Sequence, residues 1–178
     1  MAATEALERF LAGVEKRALH MARIATGDTD EALDVVQDAM MKLVQHYADR
    51  SEAEWPPLFY RVLNNRINDW HRRGAVRRRW MAWRRAPEEG DDHPELDWHD
   101  PEAPGTERRV AGERAAEALE RALRRLPPRQ QQAFMLRTWE GLDVAQTAQA
   151  MGCSAGSVKT HYSRAVHTLR EQLQDHWP

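Results

Sequence analysis

One cysteine in 178 residues, Cys153, leaves nothing for a disulfide to join within the chain, which points to a reducing cytoplasm. No apolar run approaches the roughly 20 residues that a membrane span needs, so no membrane insertion is expected. The opening MAATEALERF lacks the basic-then-apolar layout of a secretion signal. No segment alternates apolar and polar residues for long enough to mark a strand. There is no glycine loop for phosphate, no paired-cysteine metal spacing and no nucleophile elbow. These absences argue against an enzyme, and no catalytic residue, metal or cofactor is expected. No heptad seam and no internal repeat is visible.

What is present is charge, and it is segregated. Hydrophobic residues make up 42% of the chain and charged ones 30%, with a formal net charge of −2. Residues 1–86 hold 15 Lys/Arg against 12 Asp/Glu, a balance of +3. Residues 87–107 hold nine acids and neither Lys nor Arg, whereas residues 108–178 hold 11 basic residues against seven acids. Two basic bodies are therefore joined by an acidic strap, an asymmetry that the average hides. The strap also carries four prolines and two glycines, and cannot bury enough surface to offset its ordering entropy. The expected organisation is all-α: an N-terminal domain at 1–86, a flexible acidic linker at 87–107 and a C-terminal domain at 108–178.

Helical periodicity runs through both bodies. Leu7, Leu11, Val14, Ala18, Met21 and Ala25 line one side of a first helix, broken at Gly27 to Thr29. A second helix, from Asp30, is expected to bury Leu33, Val36, Met40, Leu43 and Tyr47. A third uses Phe59, Leu63, Ile67 and Trp70 and is expected to end near Gly74. His71 to Arg85 then brings seven arginines, two tryptophans and no acid. Arginines neutralise phosphates, and Trp80 and Trp83 either stack on unpaired bases or pack on the core. Beyond the strap, a helix from Arg109 through Ala115, Leu119, Ala122 and Leu126 stops at Pro127 and Pro128. Another, Arg129 to Glu140, turns Ala133, Leu136 and Trp139 inward.

The most informative stretch is Leu142 to His167. Asp143 can cap a short helix, with Gln146 completing a capping box, and Val144, Ala148 and Met151 lie along one face. Gly152 follows where a left-handed backbone is cheapest. Ser154 caps a longer helix whose apolar stripe is Val158, Tyr162, Ala165, Leu169 and Leu173. Thr160, Ser163, Arg164 and His167 fall on the opposite side, flanked by Ser157 and Lys159. That face has donors and cations and no carboxylate before Glu171, which suits a helix in a DNA major groove.

With both halves laid out, the chain resembles the bacterial RNA polymerase sigma factors of the extracytoplasmic-function group. The resemblance covers most of residues 8 to 86 and 113 to 173. Its C-terminal motifs are Leu126-Pro127, Phe134 to Arg137, Glu140-Gly141-Leu142 and the run from Gly156 to Ala165. In the N-terminal half, Asp34 to Asp38 is similar to the helix that docks on the polymerase clamp, and Leu58 to Asp69 to the segment facing the minus-ten element. The resemblance implies core RNA polymerase and promoter DNA as partners, and an anti-sigma factor as a regulator. It implies polymerase contacts at Asp34, Gln37, Asp38 and Met41. It implies minus-ten contacts at Asn64, Asn65, Arg66, Asn68, Asp69, Arg72 and Arg73. It implies minus-thirty-five contacts at Arg137, Ser157, Lys159, Thr160, His161, Ser163 and Arg164. The acidic linker resembles in placement the family segment that threads a basic channel of the polymerase. His46-Tyr47 departs from a frequent Ala-Trp pair, and His161 stands where arginine is common. An autonomous helix–turn–helix regulator would explain residues 108–178 but not the other half.

Overall fold

The computed structural model describes the backbone of residues 2–84 and 107–174, and the side chains of residues 4–80 and 112–174. The expected linker, apart from Glu107, lies outside the described residues, as do Arg85 and the side chain of Trp83. The described residues form seven helices and no strand: α1 Ala2–Thr26, α2 Thr29–Tyr47, α3 Trp55–Arg84, α4 Glu107–Arg125, α5 Pro128–Thr138, α6 Val144–Met151 and α7 Ala155–Gln172.

The first three pack side by side, and local chemistry sets each reversal. Gly27 takes a φ of 71°, and the Asp28 side chain accepts from the Glu31 N–H at 3.0 Å, capping α2. Trp55 is buried at the start of α3 and donates through Nε1 to the Tyr47 carbonyl at 3.0 Å. Pro56 and Pro57 occupy the first turn of α3, where a missing N–H forfeits no helical bond. The core of this half gathers Val14, Met21, Val36, Leu43, Phe59 and Leu63.

Two expectations change. The buried arc of α2 is Ala32, Val35, Val36, Ala39 and Leu43, and Leu33 is 48% exposed. The small alanines let α2 lie close to α1 and α3, so the inward face is centred on Val35–Val36. A stripe chosen by the largest apolar residues is rotated away from it. In addition, α3 does not end near Gly74 but runs on through the arginines to Arg84. An interior glycine costs only about 1 kcal/mol, and arginine is a good helix former.

In the second half, α5 packs on α7 and α6 closes the turn between them. The capping box of α6 is formed: the Asp143 side chain accepts from the Gln146 N–H at 2.7 Å, and Gln146 Oε1 accepts from the Asp143 N–H at 3.0 Å. Gly152 sits at φ 63°, and Ser154 caps α7 by accepting from the Ser157 N–H at 3.1 Å. Val158, Ala165, Leu169 and Leu173 are buried as the stripe requires. The short α6 buries Thr147, Ala150 and Met151, more of its circumference than one stripe, because it also lies against α3. Gln131 and Gln132 are buried in α5, where apolar spacing gave no signal; Gln131 Nε2 donates to the Leu123 carbonyl at 2.9 Å.

A Cβ on Gly152 would meet nothing within 4 Å, as would one on Gly13 inside α1. The two therefore separate backbone strain from crowding. Gly152→Ala should cost about 1–2 kcal/mol for a left-handed alanine. Gly13→Ala should gain about 0.5–1 kcal/mol of helix propensity. Denaturant unfolding of the two variants checks both signs.

Candidate nucleic-acid and protein interfaces

The outward face of α7 comes from the caps that aim it. With Ser154 fixing the first turn, Lys159, Thr160, Ser163, Arg164 and His167 are exposed, and Ser157 and His161 are half-buried. Two of the hydroxyls are occupied locally: Ser157 Oγ lies 2.9 Å from Ser154 Oγ, and Thr160 Oγ1 donates to the Gly156 carbonyl at 3.1 Å. The cationic reach of the face therefore rests on Lys159 and Arg164. His161 is held below the ordinary histidine range by burial and by Arg129 and Arg164. It is neutral at pH 7 and offers one donor and one acceptor. Arg129 is anchored, donating to the Met151 carbonyl at 2.8 Å.

Arg137, an expected minus-thirty-five contact, also has partners inside the fold. Its Nη1 donates to the Leu142 carbonyl, and its guanidinium lies 5.8 Å from the Tyr162 ring centroid. It ties the α5–α6 loop to α7, so part of its donor fork is spent inside the fold.

On α2, Asp34, Gln37 and Met41 are exposed, and Leu33, Met41 and Val44 form an apolar strip at 48%, 52% and 46% exposure. Asp38, half-exposed, is ion-paired with Arg66 of α3. It joins two helices as well as edging the strip. Leu33 was missed as a surface residue because an apolar residue at helical spacing reads as core, and nothing in the sequence singled out Val44.

The residues of α3 divide between two directions. Asn65, Arg66 and Asp69 line a cavity of about 360 Å³ with Lys42, His46, Tyr47 and Val62. Asp69 lies 3.8 Å from Arg72 in an ion pair, and Arg72 and Arg73 are exposed beyond it. Asn64 and Asn68 turn the other way: Asn64 is buried, and Asn68 Oδ1 accepts from Gln132 Nε2 of α5 at 3.1 Å. Asn65 thus shares a basin with the cations of Lys42 and Arg66, the Asp69 carboxylate and the rings of His46 and Tyr47. Among the described residues no helix is long and apolar enough to cross a membrane.

Residues 6–78 match the family model for sigma-70 region 2, and residues 116–169 that for sigma-70 region 4. Over 159 residues the chain is 31% identical to the ECF RNA polymerase sigma factor SigM of Mycobacterium tuberculosis, covering 88% of this chain and 72% of SigM. Over 58 residues it is 50% identical to the ECF RNA polymerase sigma factor BldN of Streptomyces coelicolor, a match that takes in 33% of this chain and 22% of BldN. The fold is similar to that of the sigma factor RpoE from Bartonella quintana, solved in complex with the anti-sigma factor NepR. That likeness has a TM-score of 0.64 at 23% identity and covers 94% of this chain and 96% of RpoE.

Two measurements follow from this geometry. Asp34→Ala should leave stability within about 0.5 kcal/mol, whereas Asp38→Ala should lower it by about 1 kcal/mol by leaving Arg66 without its partner; urea unfolding separates them. For His161, the folded state resists the proton, so the unfolded chain binds it more readily. The stability that the neutral ring contributes is therefore full above the ordinary histidine pKa and lost as pH falls below it. On DNA, the salt slopes of wild type and His161→Ala should coincide at pH 7.5. At a pH below the depressed value, both slopes steepen as the other histidines charge, and the wild-type slope should exceed the variant's by about one counterion. Duplex binding at several salt concentrations and two pH values reads this directly.

Proposed function

Because the chain belongs to the extracytoplasmic-function RNA polymerase sigma factors, we propose that it joins core RNA polymerase and directs it to particular promoters. It acts in the cytoplasm as a non-catalytic initiation factor. The observation that carries the reading is that one chain holds two separate exposed faces of opposite character. The α2 face is apolar edged with acid, and the α7 face is an array of donors with no carboxylate before Glu171, set in a helix–turn–helix.

In this reading, residues 1–86 bind polymerase and the minus-ten element, and residues 108–178 bind the minus-thirty-five element. Asp34, Gln37, Met41 and the Leu33–Val44 strip meet the polymerase, where an apolar centre with a polar rim suits a stable protein interface. Arg164 can present two donors to a guanine edge, a contact that discriminates bases by about 1–3 kcal/mol. Lys159 adds cationic affinity beside it, and Ser157, Thr160, His161 and Ser163 supply short-range donors and acceptors. Arg137 contributes by holding the α5–α6 loop and, with its remaining N–H groups, by approaching phosphate. Asn65, Arg66 and Asp69 take an unpaired minus-ten base in the α2–α3 cavity, with Arg72 and Arg73 on the backbone. An anti-sigma protein is the regulator proposed for this chain, as NepR is the partner of RpoE in the solved complex.

The test is run-off transcription by core polymerase from promoters selected out of a random library, with and without this chain. Sequence-specific transcripts should depend on the chain. Asn65→Ala should reduce them severalfold more on fully duplex templates than on templates with a pre-melted bubble. Transcripts that form equally well without the chain would refute the proposal.

A further inference from the structure

The apolar strip of α2 contains one side chain whose chemistry differs from that of its neighbours. At about 100° per residue, Leu33, Val44 and Met41 fall on one side of the helix, together with the exposed Asp34 and Gln37. Met41 is the most exposed member of the strip, at 52%. The other methionines among the described side chains are withdrawn from solvent. Met21, Met135 and Met151 are buried, and Met40 is half-buried against the core. Helical phase separates the two adjacent residues: Met40 leans toward the buried Val36 and Leu43, and Met41 lies about 100° further round, in water.

A thioether is apolar enough to belong in such a strip, yet peroxides oxidise it. The sulfur attacks one peroxide oxygen, the O–O bond breaks and an S–O bond forms. Sulfur is oxidised by two electrons, and the departing hydroxide takes the remaining proton and leaves as water. The product is a sulfoxide, polar and chiral where the thioether was neither. Leu33 and Val44 beside it have no donor to offer its oxygen. In the free chain water solvates that oxygen, so the fold is undisturbed. Beneath an apolar partner surface the water is stripped away, and a polar group buried without a hydrogen bond is penalised. The penalty falls on the complex alone.

We propose that Met41 is a reversible oxidation site: peroxide converts its thioether to the sulfoxide in the free chain and so lowers affinity for polymerase, until a sulfoxide reductase removes the oxygen. The inference rests on the reading of α2 as the polymerase face and adds a modification to it. Docked polymerase covers the sulfur, so the free chain responds to oxidant and the engaged chain is spared. Cys153, half-buried in the turn between α6 and α7, is a separate thiol and is removed for the test.

The test uses the full chain in a Cys153→Ser background, treated with hydrogen peroxide until peptide mass mapping shows Met41 converted. Affinity for core polymerase should fall about tenfold. Treatment with the two methionine sulfoxide reductases, one for each epimer, should restore it. Helicity should not change. Chain already bound to polymerase should take up oxygen at Met41 severalfold more slowly. Met41→Leu sets its own reference affinity, and peroxide should leave that value where it is; Met40→Leu should respond as the parent does. An affinity indifferent to the sulfoxide, or a loss that persists in Met41→Leu, would overturn the proposal. Failure of the underlying reading looks different. If the untreated chain does not bind polymerase, or Leu33→Asp binds it equally well, α2 is not the docking face and the inference falls with it.

Discussion

A helix cannot turn all of its polar side chains to one partner. At about 100° per residue, the run from Asn64 to Asp69 must divide between faces, and α3 does so: Asn65, Arg66 and Asp69 border the cavity against α2, while Asn64 and Asn68 look toward α5 and α6. Much of the structure depends on that division. The α2 side is fastened by the Asp38–Arg66 ion pair, and the other side is met by the second half of the chain through Gln132. The helix that the sequence marks for nucleic acid is thus also the beam on which the two halves meet.

The energetics of the two sides differ. Toward α1 and α2, α3 buries Phe59, Leu63 and Ile67 in a continuous apolar core, and each such side chain contributes about 1.5–3 kcal/mol of transfer free energy. Toward α5 and α6 it adds an amide pair, Asn68 with Gln132, beside the buried Asn64 amide that finds no partner. Polar contacts of this kind add about 0.5–1.5 kcal/mol when made and cost as much or more when incomplete. The first side is held by apolar burial, and the second also by polar pairs. The α2 strip and the α7 face lie outside both contacts and stay exposed.

The all-helical class, the caps at Asp143 and Ser154, the left-handed turn at Gly152 and the inward stripe of α7 were legible in the sequence, because each follows from local chemistry. Asp28 as the α2 cap was overlooked because Gly27 to Thr29 reads simply as a break. The buried face of α2 was misread because alanine carries little hydrophobic signal yet decides how closely helices approach. Gly74 was given more power to end a helix than about 1 kcal/mol supports. The outward face of α7 emerged as expected, but the inward duties of Arg137 did not, since a partner five residues away in a loop leaves no periodic trace. Least legible were Arg17 with Glu140 and Asn68 with Gln132, pairs 123 and 64 residues apart. Nothing in spacing or composition links such residues; only the packed fold does.

The most direct test is a distance across the joint between α3 and α6 in the free chain. Spin labels at Arg61 and Gln149, both exposed, in a Cys153→Ser background allow pulsed dipolar spectroscopy on the full chain. A narrow, short distance is expected. A long or broad one would contradict the division of α3 between a side packed on α2 and a side packed on α5 and α6.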